Sequence, residues 1–402
     1  MNKNKCHLFL VLFILTTACA SSEPSSTPTL ELSPTLISEP SPAPSRSQPW
    51  TEEEVTFTSG PNELYGILTK PTSEGPYPAI AIISGSVSPT TGTRGGVSNQ
   101  WHTDHARKLA LNGFAVLRYD PPGVGQSSGE LGFESLDVRT DEALAAIQYL
   151  QSRPDIRPDR VGLHGNSQGG WVIGMAAAKK PQDVAFIVSV SGAGVPVAEQ
   201  QVFSIEAQSK AARFPEEDIM KAALFGRLLV DWQLSEPIYK DVNEADAQTL
   251  GAGPWTDFSS LVYEPGDITA AEGLQQGIDI LRSVREEPWT EFLFLDELYI
   301  PQLESIPPEQ IEALRAVTGS SLLIDPKDYL TSVSSPVIAF FGEEDLLQPS
   351  ERSAPLYEQY LTEAGNENFE IVMIPGVGHN ILVTTPGYWT AMTDWLAGLY
   401  SE

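Results

Sequence analysis

The sequence predicts a three-layer α/β fold, a mostly parallel sheet flanked by helices, and three observations carry that expectation. Short apolar runs rich in β-branched residues recur at 79–83 (AIAII), 115–119 (AVLRY), 161–164 (VGLH), 185–190 (AFIVSV), 337–341 (VIAFF) and 370–374 (EIVMI). Continuous apolar strands of this kind suit a parallel sheet covered on both faces. Helical patterns fall between them at 103–112, 135–153, 170–180, 353–364 and 388–399, and strands alternating with helices imply right-handed crossovers. One interval, about 192–326, has no strand-like run but several amphipathic helix candidates, such as 216–232 and 268–285. It reads as a helical cap inserted before the strand VIAFF.

The remaining elements follow in order. Residues 54–70 alternate apolar and polar around Ser59-Gly60-Pro61-Asn62, a hairpin signal. The helix ending at Asn112 is followed by Gly113, a left-handed cap. Sheets of this type place their ligand crevice at the carboxyl ends of the strands, so chemistry is expected just after the apolar runs. The cap interval carries Trp232, Trp255, Phe258, Tyr263, Trp289, Phe292, Phe294 and Tyr299. Most of these form the cap's own core, and any surplus would wall an apolar substrate pocket.

The N-terminus sets the expected compartment. Lys3 and Lys5 precede an apolar run, 8–15, that is too short to span a bilayer and reads as an export signal, residues 1–18. It ends in LTTAC, which resembles the lipobox of bacterial lipoproteins, although Thr16 stands where that motif usually has leucine. The resemblance implies cleavage before Cys19 and lipidation of it; the alternative is an ordinary signal peptide cut nearby. From Ala20 to Trp50, 19 of 31 residues are Ser, Thr or Pro, too few apolar groups to offset ordering entropy, so 19–50 is expected to be a tether. The folded body then comprises 51–191, the cap 192–326, and 327–402. The only cysteines are Cys6 and Cys19, so no disulfide supports the body, which must hold itself together by apolar burial. A net charge of −29 repels nucleic acid and anionic lipid surfaces.

The strongest local signal is His164-Gly165-Asn166-Ser167-Gln168-Gly169-Gly170, after VGLH and before a helical pattern. A Gly-x-Ser-x-Gly in that context is a nucleophile elbow: the glycines let strand and helix approach, and Ser167 takes a strained turn above the sheet. A serine hydroxyl needs a base. Beyond the signal the histidines are His102, His105, His164 and His379. His164 should point into the sheet layers. His102 and His105 open a helix, where solvated or capping roles are expected; a metal would need a third ligand, and none is evident. His379 lies in a Gly-rich loop after the last strand-like run and is the expected base. Asp345, after VIAFF, is the expected acid, with Glu343 and Glu344 as rivals, and the order Ser, Asp, His suits the elbow motif. The turn after Tyr119 tempts a dinucleotide reading, but Ser128 stands where a third glycine is required.

With IISGS (82–86), YDPPGVGQS (119–127), GNSQGG (165–170), PVIAFFGEEDLLQP (336–349) and GVGHN (376–380) in order, the chain from about residue 54 resembles the α/β-hydrolase superfamily, in its bacterial esterase and dienelactone-hydrolase-like branch. The resemblance implies the α/β-hydrolase fold and an oxyanion hole formed by the backbone N–H groups of Gln168 and Ser86, although Ser84-Gly85 stands where a His-Gly pair is common. It implies hydrolysis of a small-molecule ester through an acyl-enzyme, with no metal or organic cofactor, by a protein anchored on the outer face of a bacterial membrane through its lipid alone. A peptidase of the same superfamily and a non-catalytic surface binding protein are the other readings; a coenzyme A thioesterase conflicts with export.

Overall fold

The computed structural model describes residues 48–86, 95–129, 135–234, 238–239, 269–293, 295–296, 300–307 and 321–400. Strands β1 (Trp50–Ser59) and β2 (Asn62–Pro71) form the antiparallel hairpin, paired from Trp50 opposite Pro71 to Ser59 opposite Asn62. Then β3 (Tyr77–Ile83), α1 (Gln100–Leu111), β4 (Ala115–Tyr119), α2 (Leu136–Gln151), β5 (Ile156–Asn166), α3 (Gln168–Lys179) and β6 (Ile187–Val190) alternate. Helix α1 starts three residues before the sequence pattern suggests, because the Asn99 side chain accepts a hydrogen bond from the His102 N–H and caps it. Ser135 caps α2 in the same way.

Between β6 and β7 the described residues hold helices α4 (Val197–Ala211), α5 (Glu216–Leu234), α6 (Ala270–Val284), α7 (Ile300–Glu304) and α8 (Pro326–Leu330), with a short 3₁₀ turn at Pro288–Leu293. After them come β7 (Val337–Gly342), α9 (Ser350–Glu363), β8 (Phe369–Ile374) and α10 (Tyr388–Gly398). The eight strands lie in the order β1-β2-β4-β3-β5-β6-β7-β8, antiparallel at β1/β2 and β2/β4 and parallel from β4 through β8. The chain runs from β3 to β4 on one side and from β5 to β8 on the other, so the strand order reverses between β3 and β5, where such sheets open their crevice.

Alternation within the strands divides the core in two. Ala79, Ala81, Ile83, Leu163, Ile187, Ala339 and Phe341 face one layer with Trp171 and Leu150, while Ile80, Ile82, Val116, Val188, Ile338 and Phe340 face the other with Leu109, Met392 and Leu396. Successive side chains of a strand point to opposite faces, and burial on both sides is why these runs are continuously apolar. The inserted helices keep a third core of their own, in which Phe225 and Trp289 meet with ring centroids 5.2 Å apart among Ile278, Leu281 and Leu293. Residues 1–47, which include the expected signal, Cys19 and most of the tether, lie outside the described residues, as do Trp255, Phe258, Tyr263, Phe294 and Tyr299 and the side chains of Trp232 and Phe292. Among the described residues, no helix is long and apolar enough to cross a membrane.

The histidines of α1 depart from expectation. His102 and His105 are not solvated: both are buried, and with His164 they form a packed aromatic group under Trp101, whose ring stacks on His105 at 3.7 Å. The cause is the face of α1 that they occupy, which packs onto the sheet together with Ala106 and Leu109. His105 Nδ1 contacts the Trp101 carbonyl at 2.7 Å, so it carries the proton, and its Nε2 accepts from the Tyr388 hydroxyl at 3.0 Å. His164 Nε2 meets that same hydroxyl oxygen at 3.0 Å and must therefore donate to it. Desolvation pushes His102 down to about 4 and His105 down to about 3, and holds His164 well below the ordinary value; Arg118 adds to the shift of His102, His102 and Lys108 to that of His105, and His105 and His102 to that of His164.

These rings stay neutral in the fold but titrate near 6.5 in the unfolded chain, so the unfolded state binds more protons below that pH and stability falls as pH falls. The loss should approach about 1.4 kcal/mol per pH unit for each histidine. Urea unfolding between about pH 7 and about pH 5 isolates the effect, since the depressed carboxyls of Glu53 and Asp155 act only at lower pH. A midpoint that did not move across this window would contradict the buried, neutral assignment.

Candidate active site

The elbow is built by close packing of three elements. A Cβ on Gly165 would lie 2.3 Å from the Gly169 carbonyl oxygen, and one on Gly169 would lie 2.5 Å from that of Ile83, so β5, α3 and the end of β3 touch through backbone alone. Squeezed between them, Ser167 adopts φ +54 and ψ −123, a conformation that costs a non-glycine residue on the order of 1–3 kcal/mol. Two hydrogen bonds hold it there: its N–H donates to the Val190 carbonyl at 2.8 Å, and its own carbonyl accepts from the Gly170 N–H at 2.8 Å. The side chain stands at the N-terminus of α3, where helix N–H groups lack intrahelical partners.

His379 and Asp345 come from the loops after β8 and β7. His379 Nδ1 lies 2.8 Å from Asp345 Oδ2, and the Asp345 side chain is fully buried. The other carboxylate oxygen accepts the N–H groups of Leu347 at 2.7 Å and Gln348 at 2.9 Å, so the acid is held on both oxygens and cannot swing. Glu343 and Glu344 are exposed, and the Glu343 carboxylate instead accepts the Gly376 N–H. With Nδ1 donating to the acid, Nε2 keeps its lone pair.

Ser191, which the motifs did not single out, links these parts. Its N–H donates to the Phe340 carbonyl at 2.8 Å and its Oγ to the His379 carbonyl at 2.9 Å. Ser167 is bonded to Val190 and Ser191 to His379, so two adjacent residues tie the serine turn and the histidine loop to the end of one strand. The signal for Ser191 was weak, a single small polar residue ending an apolar run.

The expected oxyanion donors also lie at this edge. Gln168 is buried as the first residue of α3, and Ser86 is half-buried three residues past the end of β3. The Gly85 backbone lies beside the serine, for a Cβ there would meet that of Ser167 at 3.4 Å. Arg139, on α2 and also absent from the motifs, is buried against both: it donates to the Gln168 side chain and to the Ser84 carbonyl, and to the Gly85 carbonyl at 3.0 Å. On the rim, the Asp120 carboxylate accepts the Val97 N–H at 2.9 Å and folds the DPPG turn against the loop before α1. Among the described residues, no cluster of His, Cys, Asp or Glu could hold a metal ion.

A mostly parallel sheet in this strand order, with the serine elbow between β5 and α3, decides the architecture. The fold is that of the α/β-hydrolases. Residues 63–258 match the model of the X-Pro dipeptidyl-peptidase (S15) family. The chain is 25% identical over 160 residues to a Synechocystis protein given the name carboxymethylenebutenolidase, covering 36% of this chain and 61% of that one. It is 32% identical over 120 residues to the mitochondrial palmitoyl-protein thioesterase of Bos taurus, covering 30% and 35%. The chain thus spans from about a third to three fifths of these relatives' length. An α/β-hydrolase from a Penicillium species superposes with a TM-score of 0.48 at 19% identity, over 87% of this chain and 98% of that one.

The contact between the elbow and β3 is testable within this α/β-hydrolase fold. Gly169→Ala drives a methyl group into the Ile83 carbonyl and should lower the unfolding free energy by about 1–3 kcal/mol, as overpacking does. A urea midpoint equal to that of the parent would show that the strand end has room to spare.

Proposed function

We propose that the chain is a serine hydrolase that cleaves carboxylic esters through an acyl-enzyme on Ser167. The observation that carries this reading is the contact of half-buried His379 with the buried Asp345 carboxylate, 2.8 Å apart, at the same sheet edge as the strained serine turn. In this reading His379 Nε2 takes the Ser167 proton as the hydroxyl attacks the ester carbonyl. Asp345 holds the tautomer that leaves Nε2 basic and stabilises the imidazolium. The N–H groups of Gln168 and Ser86 receive the negative charge on the carbonyl oxygen. The proton then passes to the leaving alcohol, and water attacks the acyl-enzyme with the same base.

The name of the Synechocystis relative, a lactone-cleaving activity, supports ester chemistry. The match to the X-Pro dipeptidyl-peptidase family supports a second reading, hydrolysis of a peptide bond by the same groups. Initial rates on aryl esters of graded acyl length, set against aminoacyl and prolyl anilides, separate the two. Ester turnover should fall about 10³-fold or more in Ser167→Ala, His379→Ala and Asp345→Asn. Undiminished turnover in Ser167→Ala would end the proposal, and preference for the anilides would move it to the peptidase.

We further propose export and lipidation at Cys19, supported by the apolar run 8–15 and LTTAC. Metabolic labelling with an alkynyl fatty acid in a bacterial host should mark the parent and not Cys19→Ala; label retained by the variant would refute the anchor.

A further inference from the structure

We propose that Arg139 is the positioning residue of the oxyanion hole, one buried guanidinium that sets both backbone donors at once. The inference rests on the serine-hydrolase reading and deepens it. Arg139 is 1% exposed. Burying a guanidinium is costly unless its donors are used, and here Nη1 and Nη2 are directed to the two segments that flank Ser167. Nη1 donates to Gln168 Oε1, and Nη2 donates to the carbonyl oxygens of Ser84 and Gly85.

The chemistry of those acceptors gives the arrangement its meaning. The Gly85 carbonyl and the Ser86 N–H belong to one peptide group, which is planar and trans, so the two point in opposite directions. Drawing that oxygen toward α2 turns the Ser86 N–H away from α2. Among the described residues, the segment leaving β3 has no ladder partner beyond Ile83, which pairs with Gly165, and Arg139 supplies the restraint the sheet no longer provides. The Gln168 side chain is held by the other arm of the same fork, which fixes the residue whose N–H is the second donor. A cation on the carbonyl side of the Gly85–Ser86 peptide also polarises it and strengthens its N–H as a donor. Because the charge sits in a dry interior, it favours the oxyanion over the uncharged ester and so acts on the transition state. Lysine keeps the charge but lacks the planar fork that reaches separate acceptors.

The test compares wild type, Arg139→Met, Arg139→Lys and Ser167→Ala on a short-chain p-nitrophenyl ester. It adds the affinity for a trifluoromethyl ketone of the same acyl length and the rate and stoichiometry of fluorophosphonate labelling. Arg139→Met should lose about 10²–10³ in kcat, as when an oxyanion donor is removed, while KM changes by less than about threefold. Ketone affinity should fall by the same factor as kcat/KM, and labelling should reach the same stoichiometry more slowly. Arg139→Lys should recover part of kcat. A folded Arg139→Met with wild-type kcat, or a loss confined to KM or thermal stability with ketone affinity unchanged, overturns the proposal. Should Arg139→Met fail to fold, a folded Arg139→Lys with wild-type kcat and ketone affinity overturns it equally. A wild type that neither hydrolyses the ester nor takes the label removes the hydrolase reading and the Arg139 role together, whereas active wild type with indifferent Arg139 variants removes only the latter.

Discussion

The left-handed turn at Ser167 is the constraint on which the site depends. A residue with a side chain avoids that backbone region, and the turn persists because its surroundings leave it no alternative. Gly165 and Gly169 allow α3 and β3 to press against it from two sides, while Val190 and Gly170 fix its N–H and carbonyl. The strain is local, and the packing that opposes it extends across three strands and a helix. In the proposed hydrolase reading, a hydroxyl held this way loses little further entropy in reaching a reacting carbon, the condition that makes positioning effective.

Around that turn, buried polar groups are spent on geometry. Asp345 accepts two backbone N–H groups on one oxygen and the imidazole on the other, Ser191 bonds the histidine's own carbonyl, and Arg139 spans the strand β3 exit and the start of α3. Each of these groups would be expensive to bury without partners. Together they convert loops, which are free to move in isolation, into fixed supports. The helical insertion joins the same network, since Gln200 on α4 donates to the Leu347 carbonyl in the acid-bearing loop at 2.6 Å.

The histidine group under Trp101 shows the opposite use of the same side chain. His102, His105 and His164 lie in an apolar layer where desolvation outweighs the hydrogen bonds that favour their charged forms. They serve as neutral packing elements, His105 and His164 with directional bonds to Tyr388 and His102 against the Gly96 carbonyl, and among the described residues His379 is the histidine whose ring meets a carboxylate. Residue type therefore did not separate the packing histidines from the carboxylate-paired His379, whereas depth and partner did.

Much was legible in the sequence because the relevant physics is local. Apolar runs, helix caps and the Gly-x-Ser-x-Gly turn depend on residues a few positions apart, and they located the strands, the connecting helices and the serine. Which way α1 faces, and hence that His102 and His105 are buried, depended on its contact with a sheet assembled from distant segments. The same holds for the choice among Glu343, Glu344 and Asp345, three acids alike in sequence, of which only Asp345 turns inward to His379. Arg139 and Ser191 carried no motif because their partners lie 29 to 188 positions away. Sequence alone determined the elements and the strained serine turn, since these follow from neighbouring residues; tertiary structure alone decided which charged groups face one another, because burial and pairing exist only once the sheet has closed.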